Sequence, residues 1–196
     1  MMTRNETRKL LIAINLLGLI TIAGCGGQLY KVAPLPASRP PEISTSNPQG
    51  LNIGAEVLGG DSSVEQFEAN LPLAGVIAID VKLINQSSES INAKRLKFEV
   101  RSDEPLKGIL PKKALSKVID FYENNFYRLD ARKRTQESYD AVALNLNGSI
   151  APGEVRRGFL FFEAANKDLT GLTLTVTDRG VPISVSLGEK PRNSRQ

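Results

Sequence analysis

The sequence predicts an all-β domain, an antiparallel β-sandwich carrying an inserted α-helix, and three observations lead there. Apolar and polar residues alternate with a period of two, most clearly where Ile77, Ile79, Val81 and Leu83 interleave with Asp80 and Lys82. Turn formers such as Gly59-Gly60-Asp61 and Asp178-Arg179-Gly180 punctuate these runs at short intervals. The alternation breaks over residues 111–140, where apolar residues recur at helical spacing instead.

In chain order, the first segment precedes the domain. Arg4, Arg8 and Lys9 stand against a single Glu6, and Leu10 to Ala23 is then apolar except for Asn15 and Thr21. This run is well short of the roughly 20 apolar residues that cross a bilayer, so residues 1–24 read as the charged and apolar regions of an export signal peptide. Cys25, the only cysteine in the chain, closes the run Ile22-Ala23-Gly24-Cys25 directly behind that leader.

The run resembles the lipobox of bacterial lipoproteins. The resemblance implies that the Cys25 thiol carries diacylglycerol and becomes the first residue of the mature chain. A thiolate is a better nucleophile than the neighbouring hydroxyls, and two or more acyl chains anchor firmly where one binds only marginally. Residue 26 is Gly rather than the Asp that favours inner-membrane retention in the Gram-negative pattern. The resemblance therefore implies anchoring to the outer membrane, facing the periplasm, or to the cell surface where there is a single membrane.

Residues 25–50 follow as the lipidated N-terminus and a flexible tether. Pro34, Pro36, Pro40, Pro41 and Pro48 among Ser, Thr and Asn predict a semi-extended stretch that could hold the domain up to about 75 Å from the lipid.

The domain is expected over 51–188. Leu51 to Leu58 and Val64 to Leu71 are the first candidate strands, with Gly59-Gly60-Asp61 as the turn between them. Val76 to Ile84 is a half-buried strand; after the polar turn Asn85 to Ser90, the alternating run Leu96, Phe98, Val100 is expected to pair with it. Pro111 opens the insertion, in which Leu115, Val118, Ile119 and Tyr122 form one stripe that Phe126 continues. Val142, Leu144 and Leu146 return to period two, although Tyr139 to Leu146 also fits a helix. Val155 to Glu163, Leu172 to Thr177 and Val181 to Leu187 complete the strands, and 189–196 is a loose polar tail.

Two of these segments carry a second resemblance. Pro152-Gly153-Glu154 followed by Gly158-Phe159-Leu160-Phe161-Phe162, and Leu83-Ile84-Asn85-Gln86-Ser87, resemble turn-and-strand segments of the immunoglobulin-like domains found in secreted bacterial lipoproteins. The resemblance implies an immunoglobulin-like sandwich over roughly residues 50–188, from which the helical insertion departs. It bears on fold rather than on activity.

Composition narrows the function. Of 25 basic and 21 acidic residues, three and one lie in residues 1–24, leaving 22 against 20, so no nucleic-acid partner is expected. The chain has no histidine, which removes the usual base near neutral pH and the commonest metal ligand. Asp61 with Glu65, Asp103 with Glu104, and Glu137 with Asp140 are carboxylate pairs, but acid–base work needs such groups buried in a cleft with separated pKa values. Gly153 and Gly158 have the separation of a phosphate loop, yet Phe159 stands where lysine is needed. No catalytic residue, cofactor or metal is expected.

The insertion concentrates aromatic and basic residues. Tyr122, Phe126, Tyr127, Arg128, Arg132 and Arg134 form the candidate surface for an envelope protein partner, because Tyr and Arg combine contact area with directional hydrogen bonds. The competing reading makes the apolar stripe a cap on the open end of the sandwich, with the basic residues solvated. The expected function is a non-enzymatic interaction or assembly module, anchored to the membrane by lipid on Cys25. The alternative is an envelope enzyme or small-ligand carrier acting on glycan or lipid, with Glu137, Tyr139 and Asp140 sharing a pocket.

Overall fold

The computed structural model describes residues 27–35, 41–42, 45–46, 48–122, 129–164 and 169–189. Within them the elements run β1 Thr45–Ser46, β2 Leu51–Val57, α1 Gly60–Phe67, β3 Val76–Asn85, β4 Ile91–Asn92, β5 Lys97–Arg101, β6 Pro105–Leu106 and β7 Gly108–Ile109. They continue α2 Pro111–Phe121, α3 Leu129–Val142, β8 Ser149–Ile150, β9 Val155–Glu163, β10 Thr173–Asp178, β11 Val181–Ser186 and β12 Gly188–Glu189.

The strands form a larger sheet in the order β1-β2-β3-β9-β7, a smaller sheet in the order β11-β10-β5-β6, and the short pair β4-β8. Pairing is antiparallel between these neighbours, and β12 adds a parallel contact to β2. Strand β1 pairs with residues 52–53 and β12 with residues 56–57, so two short strands share the outer edge of β2 and leave less backbone open to further pairing. The expected loose tail thus stays in register through Glu189, and residues 190–196 lie outside the described residues.

The two sheets enclose the first core. Leu51, Ile53, Ile77, Ile79, Val81 and Leu83 face Val100, Leu174, Val176, Ile183 and Val185 across it. The hairpin β10–β11 closes through Arg179 and Gly180, both at positive φ, as the sequence led one to expect from Asp178-Arg179-Gly180.

A second core lies on the opposite face of the larger sheet. There Phe67 of α1, Leu115, Val118 and Ile119 of α2, and Tyr139 and Val142 of α3 cover Val76, Ala78, Phe159 and Phe161. The architecture is a β-sandwich with a helical layer on one outer face. The helices lie along that sheet face; they do not cap the open end of the sandwich.

Four expectations are corrected by this arrangement. Strand β3 is buried on both faces rather than half-buried, because helices cover the side that was expected to meet solvent. Asp80 on that side is fully buried, and Arg157 donates to both its oxygens, from Nε at 3.0 Å and Nη2 at 2.7 Å.

The run Leu96 to Val100 does not pair with β3. It crosses through β4 and a 3-10 turn at Ala93–Arg95 into the smaller sheet, where Phe98 and Val100 oppose Val176 and Leu174.

Residues 60–67, part of the expected turn and second strand, form α1 instead. Gly59 precedes it in an extended conformation, Ser63 Oγ donates to the Gly60 carbonyl at 2.8 Å and accepts from the Leu71 N–H at 3.1 Å, and Glu68 ends it in the left-handed region. Ser63, Gln66 and Phe67 fall on its buried side at helical spacing, which the eye reads as alternation if only Val64 and the later apolar residues are weighed.

The insertion, expected as one helix, is two. Pro111 opens α2 as expected, Tyr122 closes it, and α3 runs on to Val142. Ala143 then bridges Phe159 and the chain turns extended.

Candidate functional site

The helical layer holds Tyr122, Arg132 and Arg134 of the sequence-predicted surface, and a strap of chain that was expected to be free. Residues 27–35 lie across α3 and α1 in place of the first part of the tether. The Thr135 Oγ accepts from the Leu29 N–H at 2.7 Å, Gln28 Nε2 donates to Ser138 Oγ at 2.6 Å, and the Lys31 N–H donates to Glu68 at 2.9 Å. The Ala33 N–H donates to the Gln66 carbonyl at 2.7 Å, and Gln66 Nε2 returns a bond to the Ala33 carbonyl.

Tyr30 is buried with its ring centroid 6.2 Å from that of Tyr122, and Leu29, Val32 and Leu35 pack against the same core. The signal was present as the apolar run Leu29, Tyr30, Val32 ahead of the prolines, but proline content outweighed it in the reading of the segment. Thr135 gave no signal at all. A threonine within a polar helix looks solvent-facing until something packs on it.

The lipidation candidate Cys25 and, of the candidate partner residues, Phe126, Tyr127 and Arg128 lie outside the described residues. Tyr122 is 38 % exposed, accepts from the Asn70 N–H at 3.1 Å through its hydroxyl, and meets Phe121 edge-on at 4.9 Å. Arg132 donates to Ser116 Oγ at 3.1 Å and so ties α3 to α2, while Arg134 donates to the Gly27 carbonyl at 3.4 Å. Phe121 and Tyr122 at the end of α2 and Leu129 at the start of α3, the last 84 % exposed, leave apolar surface, with exposed Lys133 one turn after Leu129.

The proposed acid–base constellation does not assemble. Glu137 and Asp140 are solvent-exposed, whereas Tyr139 is fully buried against Phe67 and Phe161, with ring centroids 5.0 and 5.9 Å away. Burial pushes the Tyr139 phenol well above the ordinary tyrosine range, and Tyr30 and Tyr122 nearby add to the shift. Asp61, Glu65, Asp103 and Glu104 are also exposed.

An open cleft of about 610 Å³ is walled by Asp103, Glu104, Lys107, Lys117 and Glu163 over Ile77 and Leu172. Lys113, at 2.7 Å, holds the Glu163 carboxyl below its usual range, with Lys117 at 3.7 Å assisting. A carboxyl held ionised in this way is poorly suited to act as a general acid. Among the described residues, no group of three or more His, Cys, Asp or Glu could hold a metal ion, and no helix is long and apolar enough to cross a membrane.

Two motifs read from the sequence take structural roles. Asn85 is buried: its Nδ2 donates to the carbonyls of Glu89 (2.7 Å) and Ile150 (2.9 Å), and its Oδ1 accepts from the N–H (3.0 Å) and hydroxyl (2.7 Å) of Ser87. Gly158, one member of the rejected phosphate-loop pair, is a site of close backbone packing. A Cβ there would lie 2.7 Å from the Ala143 carbonyl carbon and closer still to Leu144. Comparison with known proteins returns no matching family, no matching curated protein and no matching solved structure.

Proposed function

We propose that the protein is a lipid-anchored component of the bacterial cell envelope, held at the outer membrane through Cys25 and facing the periplasm. Its immunoglobulin-like sandwich serves as a non-enzymatic interaction or assembly module. The observation that carries the reading is the run Ile22-Ala23-Gly24-Cys25 behind a basic and apolar leader, with Gly rather than Asp at 26. Support for a binding rather than a catalytic role comes from the histidine-free sequence and from carboxylate pairs that face solvent. The contact surface is the end of α2 and the start of α3, where Phe121, Tyr122, Leu129 and Lys133 are exposed and Arg132 is half-buried.

Mass spectrometry of the protein from intact cells tests the anchor. The N-terminal peptide begins at Cys25 and carries acyl mass, and Cys25→Ser moves the protein from the membrane to the soluble fraction. A mature chain with an unmodified thiol and no membrane association refutes the proposal.

A further inference from the structure

The strap on the helical layer changes what the anchor does. On the tether reading, the domain floats up to about 75 Å from the lipid. With the strap docked, only Gly26 separates Cys25 from Gly27, whose carbonyl is already bonded to Arg134 on α3. Two residues of extended chain span at most about 7 Å.

Acyl chains on Cys25 would therefore sit close to the outer side of α3, and the domain could not turn that side far from the bilayer. The smaller sheet lies beyond the larger one, with layers spaced about 10 Å apart, and so faces away.

The exposed residues of α2 and α3 include groups that suit a headgroup layer. Arg132, Lys133 and Arg134 follow one another in the first half of α3, with Lys133 exposed and the two arginines half-buried; Lys112 is exposed at the start of α2, and Phe121, Tyr122 and Leu129 are exposed where α2 ends and α3 begins. Basic residues near a bilayer are drawn to anionic phospholipid, and exposed Phe, Tyr and Leu suit the zone between headgroup and acyl chain. Asp120 and Asp130 are exposed beside Phe121 and Leu129, and Glu137 and Asp140 lie toward the far end of α3.

We propose that the partner of the α2–α3 surface is the membrane that carries the anchor: the helical layer lies against anionic phospholipid headgroups, and the smaller sheet points into the compartment. This rests on the reading of Cys25 as the acylated residue.

The test uses the full, acylated protein in vesicles of phosphatidylethanolamine and phosphatidylglycerol containing a headgroup-spin-labelled lipid. Lys133→Cys and Ser184→Cys, each at an exposed position, are labelled separately with a fluorophore; an acylated Cys25 cannot react. The dye at 133 is expected to be quenched several-fold more than the dye at 184. A flexible Gly-Ser insertion between Gly26 and Gly27 is expected to bring the two close to equality.

Equal quenching at both positions, in protein whose Cys25 is shown by mass to be acylated, overturns the inference and leaves the anchor standing. A protein crosslinked at position 133 in cells, with no quenching there, overturns it in favour of a protein partner. A dye that reacts with Cys25 itself refutes the anchor and this inference together.

Discussion

Replacing Gly158 by alanine tests whether the close approach of two backbones, and not phosphate chemistry, explains this glycine. Gly158 is buried in the middle of β9, and its φ is outside the left-handed region, so the substitution carries no dihedral penalty and the effect is purely steric. The new methyl group would meet the Ala143 carbonyl carbon at 2.7 Å and the Leu144 backbone more closely, against an ordinary contact near 3.4 Å or more. The chain leaving α3 must then retreat by roughly 0.7 Å or more, or β9 must bend.

Retreat strains the bond from the Leu144 N–H to the Phe159 carbonyl, 3.0 Å long in the native fold. Overpacking costs about 1–3 kcal/mol and a lost buried hydrogen bond about 1–3 kcal/mol, so the expected loss is about 2–6 kcal/mol. At about 2–4 °C per kcal/mol for a domain of this size, the melting temperature falls by about 10 °C.

Gly108→Ala is the control. Its Cβ would meet the Phe162 ring at 3.7 Å, an ordinary contact, and its φ is also outside the left-handed region, so the change is expected to be neutral or to stabilise by up to about 1 kcal/mol. Urea unfolding followed by circular dichroism compares the two. A Gly158→Ala loss within about 1 kcal/mol of the control refutes the argument.

The other predictions concern polar groups. Asn85→Ala removes the four side-chain bonds that organise the turn after β3 and leaves the Ile150 carbonyl without that donor; the expected loss is about 2–4 kcal/mol in chemical denaturation, and a loss under about 1 kcal/mol contradicts the role. Tyr139→Phe removes a buried hydroxyl that has no hydrogen-bond partner among the described residues, so stability at neutral pH is expected to hold or rise by about 1–3 kcal/mol, and a clear loss means the hydroxyl is bonded. Because the folded phenol titrates above its unfolded value, the native protein loses stability as pH rises past about 10, and melts across alkaline pH should show Tyr139→Phe losing less. Glu154 has the opposite sign: the Ala151 N–H, then Arg156, hold its carboxyl below the ordinary range, so its contribution is present above that range and fades as pH falls through the folded value. An NMR titration should give a midpoint that rises in Arg156→Gln; an unchanged midpoint rules out the arginine's share.

Strand positions were largely legible in the sequence, because period-two alternation and turn residues are local. Val76–Asn85, Val155–Glu163 and the Thr173–Ser186 hairpin appear close to where the alternation put them. Partners were not legible. Lys97–Arg101 offers the same alternating face to either sheet, and the choice rests on the route through β4 and the Ala93–Arg95 turn. The candidate surface was legible in part: Tyr122, Arg132 and Arg134 gather on the helical layer, but all three hold neighbouring segments in place.

What the sequence alone determined is local in the same sense: a basic and apolar stretch ending in the chain's one cysteine, a β-rich domain, a helical insertion opening at Pro111, and a chain without histidine. Tertiary structure alone decided that β3 is covered on both faces, that Asp80 has Arg157 as its counter-ion, and that residues 27–35 lie on α1 and α3. Each of these depends on a surface assembled from residues far apart in the chain. Proline content argues for a semi-extended backbone, but only Thr135, Gln66 and Tyr122 brought together across the helical layer give that backbone somewhere to bind.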